Sequence, residues 1–179
     1  MQDLLLVVDM QNDFISGSLG SKEAEAILPR VRELIDSYPA DKVYFTRDTH
    51  QEDYLETQEG RKLPIAHCLE GSEGWQIEES LEKRRQTAII DKPAFGSVEL
   101  ARLLAELNQE EVIRSLRFVG LCTDICIISN ALIGKAVLPE AEIIVDASAC
   151  AGVTPEQHQT ALDAMKVPRG RCRTHRRPP

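Results

Sequence analysis

Two cysteines, Cys122 and Cys126, lie four residues apart in the stretch GLCTDICI, where an apolar run meets a segment of helical pattern. Such a pair could bind a metal, form a disulfide, pack in the core or supply a nucleophile. A structural zinc site needs four ligands, and no second cysteine pair has suitable spacing. A reducing compartment and the expected strand-to-helix geometry disfavour a disulfide. Buried packing stays open, above all for Cys122 and Cys150, because free cysteine is among the most buried residue types.

Cys126 is the better candidate for a nucleophile. It would sit in the first turn of a helix that begins near Thr123 or Asp124, where free N–H groups and the helix dipole lower the pKa of a thiol. A cationic Lys92 nearby would lower that pKa further, and Asp9 could accept the thiol proton. This arrangement predicts an anionic sulfur that is activated without histidine.

Short apolar runs alternate with amphipathic segments along the chain. The predicted strands are 4–9, 42–48, 87–92, 117–121 and 142–147. The predicted helices are 21–38 with Ser21 as N-cap, 97–107 with Ser97 as N-cap, the segment after Asp124, and 154–166 with Thr154 as N-cap. This alternation predicts an α/β fold, a Rossmann-like three-layer α/β/α sandwich around a mostly parallel sheet. Residues 49–86 interrupt the alternation with a long polar excursion, which is more often functional than idle.

Polar residues collect where the predicted strands end. Asp9 closes the first strand, Asp48 and His50 follow the second, Lys92 follows the third, and Cys126 follows the fourth. In an open parallel sheet, ligands bind in the crevice at the carboxyl ends of the strands. Each residue alone has an ordinary explanation as a cap or a solvated side chain. Their recurrence at four strand ends predicts one shared site.

Composition narrows the class of protein. The chain has 179 residues, 42% of them hydrophobic, with a formal net charge of −8 and a pI near 5.1. The acidic balance argues against nucleic acid as a partner and favours a small molecule. No apolar run is long enough to span a membrane, and no export signal is visible, so we expect a cytoplasmic protein. Five unevenly spaced cysteines fit a reduced protein.

We expect one domain over residues 1–166, followed by an atypical basic tail over 167–179. The tail holds five of the 21 basic residues and no acidic residue. So short and polar a segment buries little apolar surface, which predicts disorder. We also expect that the tail cannot supply a β-strand, and that the sheet edge near 142–147 is left open.

Three segments resemble the signature motifs of a known family. VVDMQNDF, IDKPAFGS and GLCTDICI are similar to those of the isochorismatase-like cysteine hydrolases, in their nicotinamidase-like branch, and occur in the same order. The resemblance implies a catalytic triad of Asp9, Lys92 and Cys126, in which Cys126 attacks an amide carbonyl and Asp9 moves the proton. It also implies a non-proline cis peptide between Leu121 and Cys122, with the backbone N–H groups of Cys122 and Cys126 directed at the oxyanion.

The long excursion contains DTH at 48–50 and LPIAHC at 63–68. Two imidazoles and a carboxylate can bind zinc, iron or manganese. The alternative is that His50 and His67 are ordinary surface residues of a loop. The resemblance implies one divalent metal ion per subunit, bound by Asp48, His50 and His67. It further implies a carboxylate as fourth ligand, Glu59 rather than Glu56, because no third histidine lies between.

The resemblance also implies a substrate pocket. Phe14 in QNDF matches an aromatic wall that can stack on a heteroaromatic ring. A second aromatic residue of that branch is replaced here by Pro64, and Trp75 could supply the missing wall. We therefore expect a nicotinamidase that works through a thioester. The alternative within the same superfamily is a hydrolase of another small amide, carbamoyl or ureido compound. A non-catalytic scaffold is a third alternative, and a homo-oligomer is expected.

Overall fold

A parallel sheet forms the centre of the computed structural model, which describes residues 1–166 and, for the backbone, residues 171–173. Each of the five predicted strands is present, and a sixth joins them. Over the described residues the strands are β1 Gln2–Val8, β2 Val43–Asp48, β3 Ile89–Lys92, β4 Ile113–Leu121, β5 Glu142–Ala151 and β6 Arg171–Arg173. Every neighbouring pair is parallel, which confirms the predicted fold class.

Helices cover both faces of the sheet. They are α1 Asn12–Ile15, α2 Lys22–Asp36, α3 Gln58–Lys62, α4 Glu79–Glu82, α5 Val98–Glu110, α6 Ile128–Val137 and α7 Pro155–Lys166. The three predicted N-caps are confirmed, because the hydroxyls of Ser21, Ser97 and Thr154 each accept a backbone N–H of the first helical turn. Helices α5, α6 and α7 bury their apolar residues on one face of the sheet, and α2 does so on the other.

The strand order is β3-β2-β1-β4-β5-β6. The direction of winding therefore reverses between β1 and β4, which are hydrogen-bonded neighbours. A crevice opens at the carboxyl ends of the strands at such a switch point, and this is where ligands bind in doubly wound folds. Asp9 follows β1 at this point, and the cysteine pair follows β4.

Two expectations about the sheet edge are wrong. Residues 171–173 do form a strand, and β6 pairs in parallel with residues 144–146 of β5, so that part of the edge is covered. Backbone pairing does not require apolar side chains, which is why the basic composition misled the prediction. The disorder predicted for 167–179 is not found at 171–173, and the rest of the tail, 167–170 and 174–179, lies outside the described residues.

Candidate active site

The side chains of Asp9, Lys92 and Cys126, called here the sheet-end cluster, meet at the carboxyl ends of the strands. Lys92 Nζ lies 2.7 Å from Asp9 Oδ2 and 3.4 Å from Cys126 Sγ. The same ammonium donates to Asp48 Oδ1 at 3.0 Å and to the Ala94 carbonyl at 3.2 Å. All three side chains of the cluster are buried. The ammonium therefore contacts a carboxylate and a thiol where both are largely shielded from bulk water.

The strand ends bring the cluster together. Lys92 is the last residue of β3 and pairs in register with Asp48, the last residue of β2. Asp9 directly follows β1 in a left-handed conformation with φ +49°, which aspartate adopts more readily than most residues. Its Oδ1 accepts a hydrogen bond from Thr46 Oγ1 at 2.7 Å. That bond orients the carboxylate so that Oδ2 faces Lys92.

Cys126 lies in a π-helical turn, Thr123–Ile127, that connects β4 to α6. The peptide bond between Leu121 and Cys122 just before it is cis, as the resemblance implied. Gly120 has φ +116°, and a Cβ there would lie 2.1 Å from the carbonyl oxygen of Val8. Only glycine permits this close approach of β4 to β1. Cys122 and Cys126 both line the pocket described below.

Four further polar side chains lie beside the sheet-end cluster and are called here the metal-donor cluster: Asp48, His50, Glu59 and His67. One ligand atom each from Asp48, His50 and His67 falls within 4.8 Å of the other two. Glu59 Oε1 lies 3.8 Å from His50 Nε2 and 4.0 Å from His67 Nε2. Both histidines are buried, so the alternative that they are ordinary surface residues is wrong. Glu56, in contrast, is exposed.

The donor atoms suit a divalent metal ion. His67 Nδ1 lies 2.8 Å from the Ile65 carbonyl, so it carries the proton and leaves the lone pair of Nε2 for a ligand. His50 Nε2 is 3.0 Å from Asp48 Oδ2, yet within the described chain this buried atom has no aligned hydrogen bond. Asp48 thus turns Oδ1 to Lys92 and Oδ2 to the two histidines. Imidazole nitrogens and carboxylate oxygens together are a donor set for zinc, iron or manganese.

A pocket of about 750 Å³ opens over Cys126. Its polar lining includes Asp48, Glu59 and His67, and its apolar lining includes Phe14 and Phe95. The Phe14 ring centroid lies 5.5 Å from that of His67, so the predicted aromatic wall is in the pocket. A planar substrate in this pocket would meet apolar walls, a thiol and potential metal ligands at once.

Trp75 does not supply a second wall. It is absent from the lining of this pocket; its indole N–H donates to Thr49 Oγ1 at 2.8 Å, and the Arg47 guanidinium lies 3.3 Å from its ring centroid. A cation over the ring face and a hydrogen bond at its edge keep the indole against β2. Phe95, half exposed on the loop after Lys92, is the other aromatic residue in the described lining.

Comparison with known proteins decides the family. The model of the Isochorismatase domain family matches residues 3–176 of this chain. The chain belongs to the isochorismatase family. The match covers nearly the whole chain, and the predicted hydrolase class is confirmed at the level of the family. Among the described residues of this family member, no helix is long and apolar enough to cross a membrane.

The chain is also similar to a curated relative and to solved structures. The isochorismatase-family protein PncA of Bacillus subtilis is 27% identical in an alignment 176 positions long, which covers 90% of this chain and 93% of that protein. A crystal structure of nicotinamidase/pyrazinamidase PncA from Bacillus subtilis superposes with a TM-score of 0.83 at 24% identity, covering 97% and 100% of the two chains. The pyrazinamidase of Pyrococcus horikoshii, solved in complex with zinc, has a TM-score of 0.79 at 26% identity, covering 97% and 99%.

Charge balance in this isochorismatase-family site decides where protons reside. Burial acts to lower the pKa of Lys92. The opposing effect of its neighbours, Asp9 first and then Cys126 and Asp48, is larger, so the pKa lies well above its ordinary range. Burial, and then the charge of Asp48, raise the pKa of Asp9 against the effect of Lys92. Lys92 is therefore a permanent cation, and Asp9 is a stronger base than an exposed aspartate.

The predicted anionic sulfur is not what the site favours. Burial and the charge of Asp9 raise the pKa of Cys126 well above its usual value, and Lys92 offsets only part of that rise. The reason is that two carboxylates, Asp9 and Asp48, share one ammonium, so a third negative charge beside them is unfavourable. The resting group is a thiol with Asp9 in hydrogen-bonding reach. Asp9 is therefore placed to accept the proton of that thiol.

Sequence reasoning missed several residues that build the site. Gln11 is fully buried and pairs with the backbone of Asp48, donating to its carbonyl at 2.8 Å and accepting from its N–H at 2.7 Å. Tyr54 packs its ring 4.6 Å from His50 and 4.9 Å from His67. Thr46 orients Asp9. The sequence places Thr46 in a predicted strand and Gln11 in the motif VVDMQNDF. Neither residue type by itself indicates its hydrogen-bond partner.

The remaining cysteines are structural in this arrangement. Among the described side chains, Cys68, Cys122 and Cys150 form no disulfide with one another or with Cys126. Cys150 is buried in the core, and Cys122 is partly buried against the core under α2, so the packing alternative describes both. Burial raises the pKa of Cys122 to about 12. A neutral thiol at that position adds no charge to the pocket.

Proposed function

We propose that this isochorismatase-family hydrolase is a nicotinamidase, which converts nicotinamide and water into nicotinate and ammonia. The observation that carries the proposal is the contact of one buried ammonium, Lys92, with both Asp9 and Cys126. Cys126 lines a pocket that also presents Asp48, Glu59 and His67. Further support comes from the fold shared with a protein of L. infantum solved in complex with nicotinate, at a TM-score of 0.82 and 23% identity.

In the acylation step, Cys126 Sγ forms a bond to the carboxamide carbon while its proton passes to Asp9. The backbone N–H groups of Cys122 and Cys126 stabilise the carbonyl oxygen as it becomes negative, which is typically worth about 10²-fold or more in rate. Asp9 then gives its proton to the amide nitrogen, the carbon–nitrogen bond breaks, and ammonia leaves. A nicotinoyl thioester on Cys126 remains.

In the deacylation step, water attacks the thioester carbon and its proton passes to Asp9. The carbon–sulfur bond breaks as Asp9 returns that proton to Cys126, and nicotinic acid leaves and releases its carboxyl proton to water as nicotinate. The raised pKa of Asp9 suits this double role, because the carboxylate must gain and lose one proton in each half-reaction. Lys92 keeps its own proton throughout and stabilises the negative charge on Asp9 or on Cys126, whichever is ionised.

The metal-donor cluster serves recognition in this proposal. Asp48, His50 and His67, with Glu59 as fourth ligand, would hold one zinc, iron or manganese ion. When bound, such an ion supplies a Lewis acid that accepts the lone pair of a pyridine nitrogen. Phe14 stands beside His67 and offers a face for the substrate ring. A homo-oligomeric state and a cytoplasmic location stay predictions.

A second candidate is a hydrolase of a larger or differently shaped small amide, or of a carbamoyl or ureido compound. Two observations favour it. Pro64 is exposed and is not part of the described pocket lining, so the second aromatic wall of the nicotinamidase-like branch is missing. The pocket of about 750 Å³ is also far larger than a single pyridine carboxamide needs.

The test is ammonia release from nicotinamide by the purified protein, with a panel of non-aromatic amides and ureido compounds alongside. A nicotinamidase releases ammonia from nicotinamide, loses most of that activity with a chelator, and loses all of it in Cys126→Ala. Turnover of only the non-aromatic substrates, unaffected by the chelator, would favour the second candidate. Equal turnover by wild type and Cys126→Ala would reject the cysteine mechanism.

A further inference from the structure

Asn130 lies on α6, one helical turn after Cys126, and its side chain is fully buried. Its amide nitrogen Nδ2 donates to the carbonyl of Cys126 at 2.8 Å and to the carbonyl of Phe95 at 2.9 Å. Its Oδ1 accepts the backbone N–H of Ser97 at 2.9 Å. The side-chain amide thus makes three hydrogen bonds, each to a backbone group, and so fixes the backbone at three positions.

The three places belong to the two segments that carry the reacting groups. Phe95 and Ser97 lie on the loop that follows Lys92, and the same loop supplies the Ala94 carbonyl that Lys92 Nζ contacts at 3.2 Å. Cys126 lies on the turn after β4. Within residues 1–166, two kinds of side-chain hydrogen bond join this loop to the nucleophile turn and its helix. One is the Lys92–Cys126 contact itself, and the others are those of Asn130.

Lys92 is held from two sides. On the sheet side, Asp9 and Asp48 fix its ammonium through charge. On the helix side, its contacts are the Ala94 carbonyl and Cys126 Sγ. The carboxylates determine where the ammonium lies, but the distance from it to the sulfur depends on how closely the nucleophile turn approaches the loop.

We propose that Asn130 is a positioning residue, whose buried amide holds the 94–97 loop against the nucleophile turn and thereby sets the contact between Lys92 and Cys126. The same bonds fix the backbone of Phe95, whose ring lines the pocket. Asn130 touches neither the substrate nor the reacting atoms. Its effect on turnover rests on the proposed amidase function, but its effect on the sulfur does not.

The experiment compares wild type with Asn130→Ala and Asn130→Ser. A serine hydroxyl can still donate to the carbonyl four residues earlier but is too short to reach the loop. Two quantities are measured: kcat and KM with nicotinamide, and the rate of Cys126 alkylation by iodoacetamide, which needs no substrate. Asn108→Ala is the matched control, because Asn108 Oδ1 accepts the Ile113 N–H at 2.8 Å at the other end of β4.

Both Asn130 variants are expected to lose kcat by up to about 10²-fold, as small misplacements of reacting groups do. Alkylation of Cys126 should slow about tenfold, because a more distant ammonium stabilises the thiolate less. Asn108→Ala should retain both rates. The proposal is overturned if Asn130→Ser folds and keeps both the kcat and the alkylation rate of the wild type. It is also overturned if neither variant folds, because Asn130 would then have a purely structural role. If the wild type does not hydrolyse nicotinamide but Cys126 is alkylated more slowly in the Asn130 variants, the proposed substrate is wrong and the positioning role stands.

Discussion

The sheet-end cluster and the metal-donor cluster adjoin each other but are built differently. Asp9, Lys92 and Cys126 extend from β1, β3 and the turn after β4, and they are held by strand pairing in the centre of the sheet. His50, Glu59 and His67 come from the long excursion between β2 and β3, which contains only short helices. Strand ends give fixed positions for groups that exchange a proton. A loop region can change its ligands and walls without disturbing the sheet.

Asp48 is the point where the two clusters meet. Burial acts to raise its pKa, but the close imidazole of His50 and the charge of Lys92 outweigh burial and lower that pKa. The carboxylate is therefore ionised and shared between an ammonium and two imidazoles. The difference between the clusters predicts that changes in the sheet-end cluster reduce kcat, whereas changes in the metal-donor cluster and pocket walls raise KM.

The largest effect is expected for Asp9→Asn. This variant keeps the shape of the side chain but removes the proton acceptor, and kcat should fall by roughly 10²- to 10⁴-fold. The charge of Asp9 raises the pKa of Cys126, so removing that charge should lower this pKa. The pH profile of alkylation by iodoacetamide should consequently move to lower pH while turnover is lost. A profile that moves to higher pH would contradict the assigned charge balance.

A smaller effect is expected for His67→Ala, which removes one donor of the metal-donor cluster. Loss of even supporting contacts around a metal costs about 10- to 100-fold in affinity, so bound metal should fall and KM should rise by at least that range. Elemental analysis and steady-state kinetics measure the two quantities. The rate of Cys126 alkylation is the control and should stay at the wild-type value. A fall in alkylation with unchanged KM would show that the two clusters do not divide their roles in this way.

The smallest effect is expected for Phe14→Ala. Loss of one aromatic contact worth about 0.5–1.5 kcal/mol should raise KM by about 2- to 10-fold and leave kcat nearly unchanged. Trp75→Phe is the matched control, because Trp75 lies against Arg47 outside the pocket lining. KM should not change in that control. An equal rise of KM in both variants would mean that the pocket wall has been assigned to the wrong residue.

The strand ends were predictable from sequence because hydrophobic periodicity marks where each strand stops. The polar residue that follows each strand then lies at one edge of a parallel sheet, as Asp9, Asp48 and Lys92 do. The helix caps were predictable for a similar reason, since Ser97 acts on the first turn of its own helix. Both are local signals, because the residues that interact lie close together in the sequence.

Long-range contacts were not predictable in the same way. Asn130 pairs with a loop 35 residues earlier in the chain, and Gln11 pairs with Asp48 across 37 residues. The sequence left Trp75 open between a pocket wall and a core residue, and the structure places it beneath the guanidinium of Arg47 on β2. The low pKa predicted for Cys126 rested on the start of the helix and on Lys92, without the charges of Asp9 and Asp48. The fold places two carboxylates around that ammonium, and a single sequence motif does not reveal such a balance.

The most direct test of the account is to trap the acyl-enzyme. The protein is mixed with nicotinamide, quenched in acid during turnover, digested and analysed by mass spectrometry. The account predicts one nicotinoyl group on the peptide that contains Cys126, absent from Cys126→Ala and retained in Cys150→Ala. Steady release of ammonia with no acyl group on Cys126, or with the group on another residue, would contradict it.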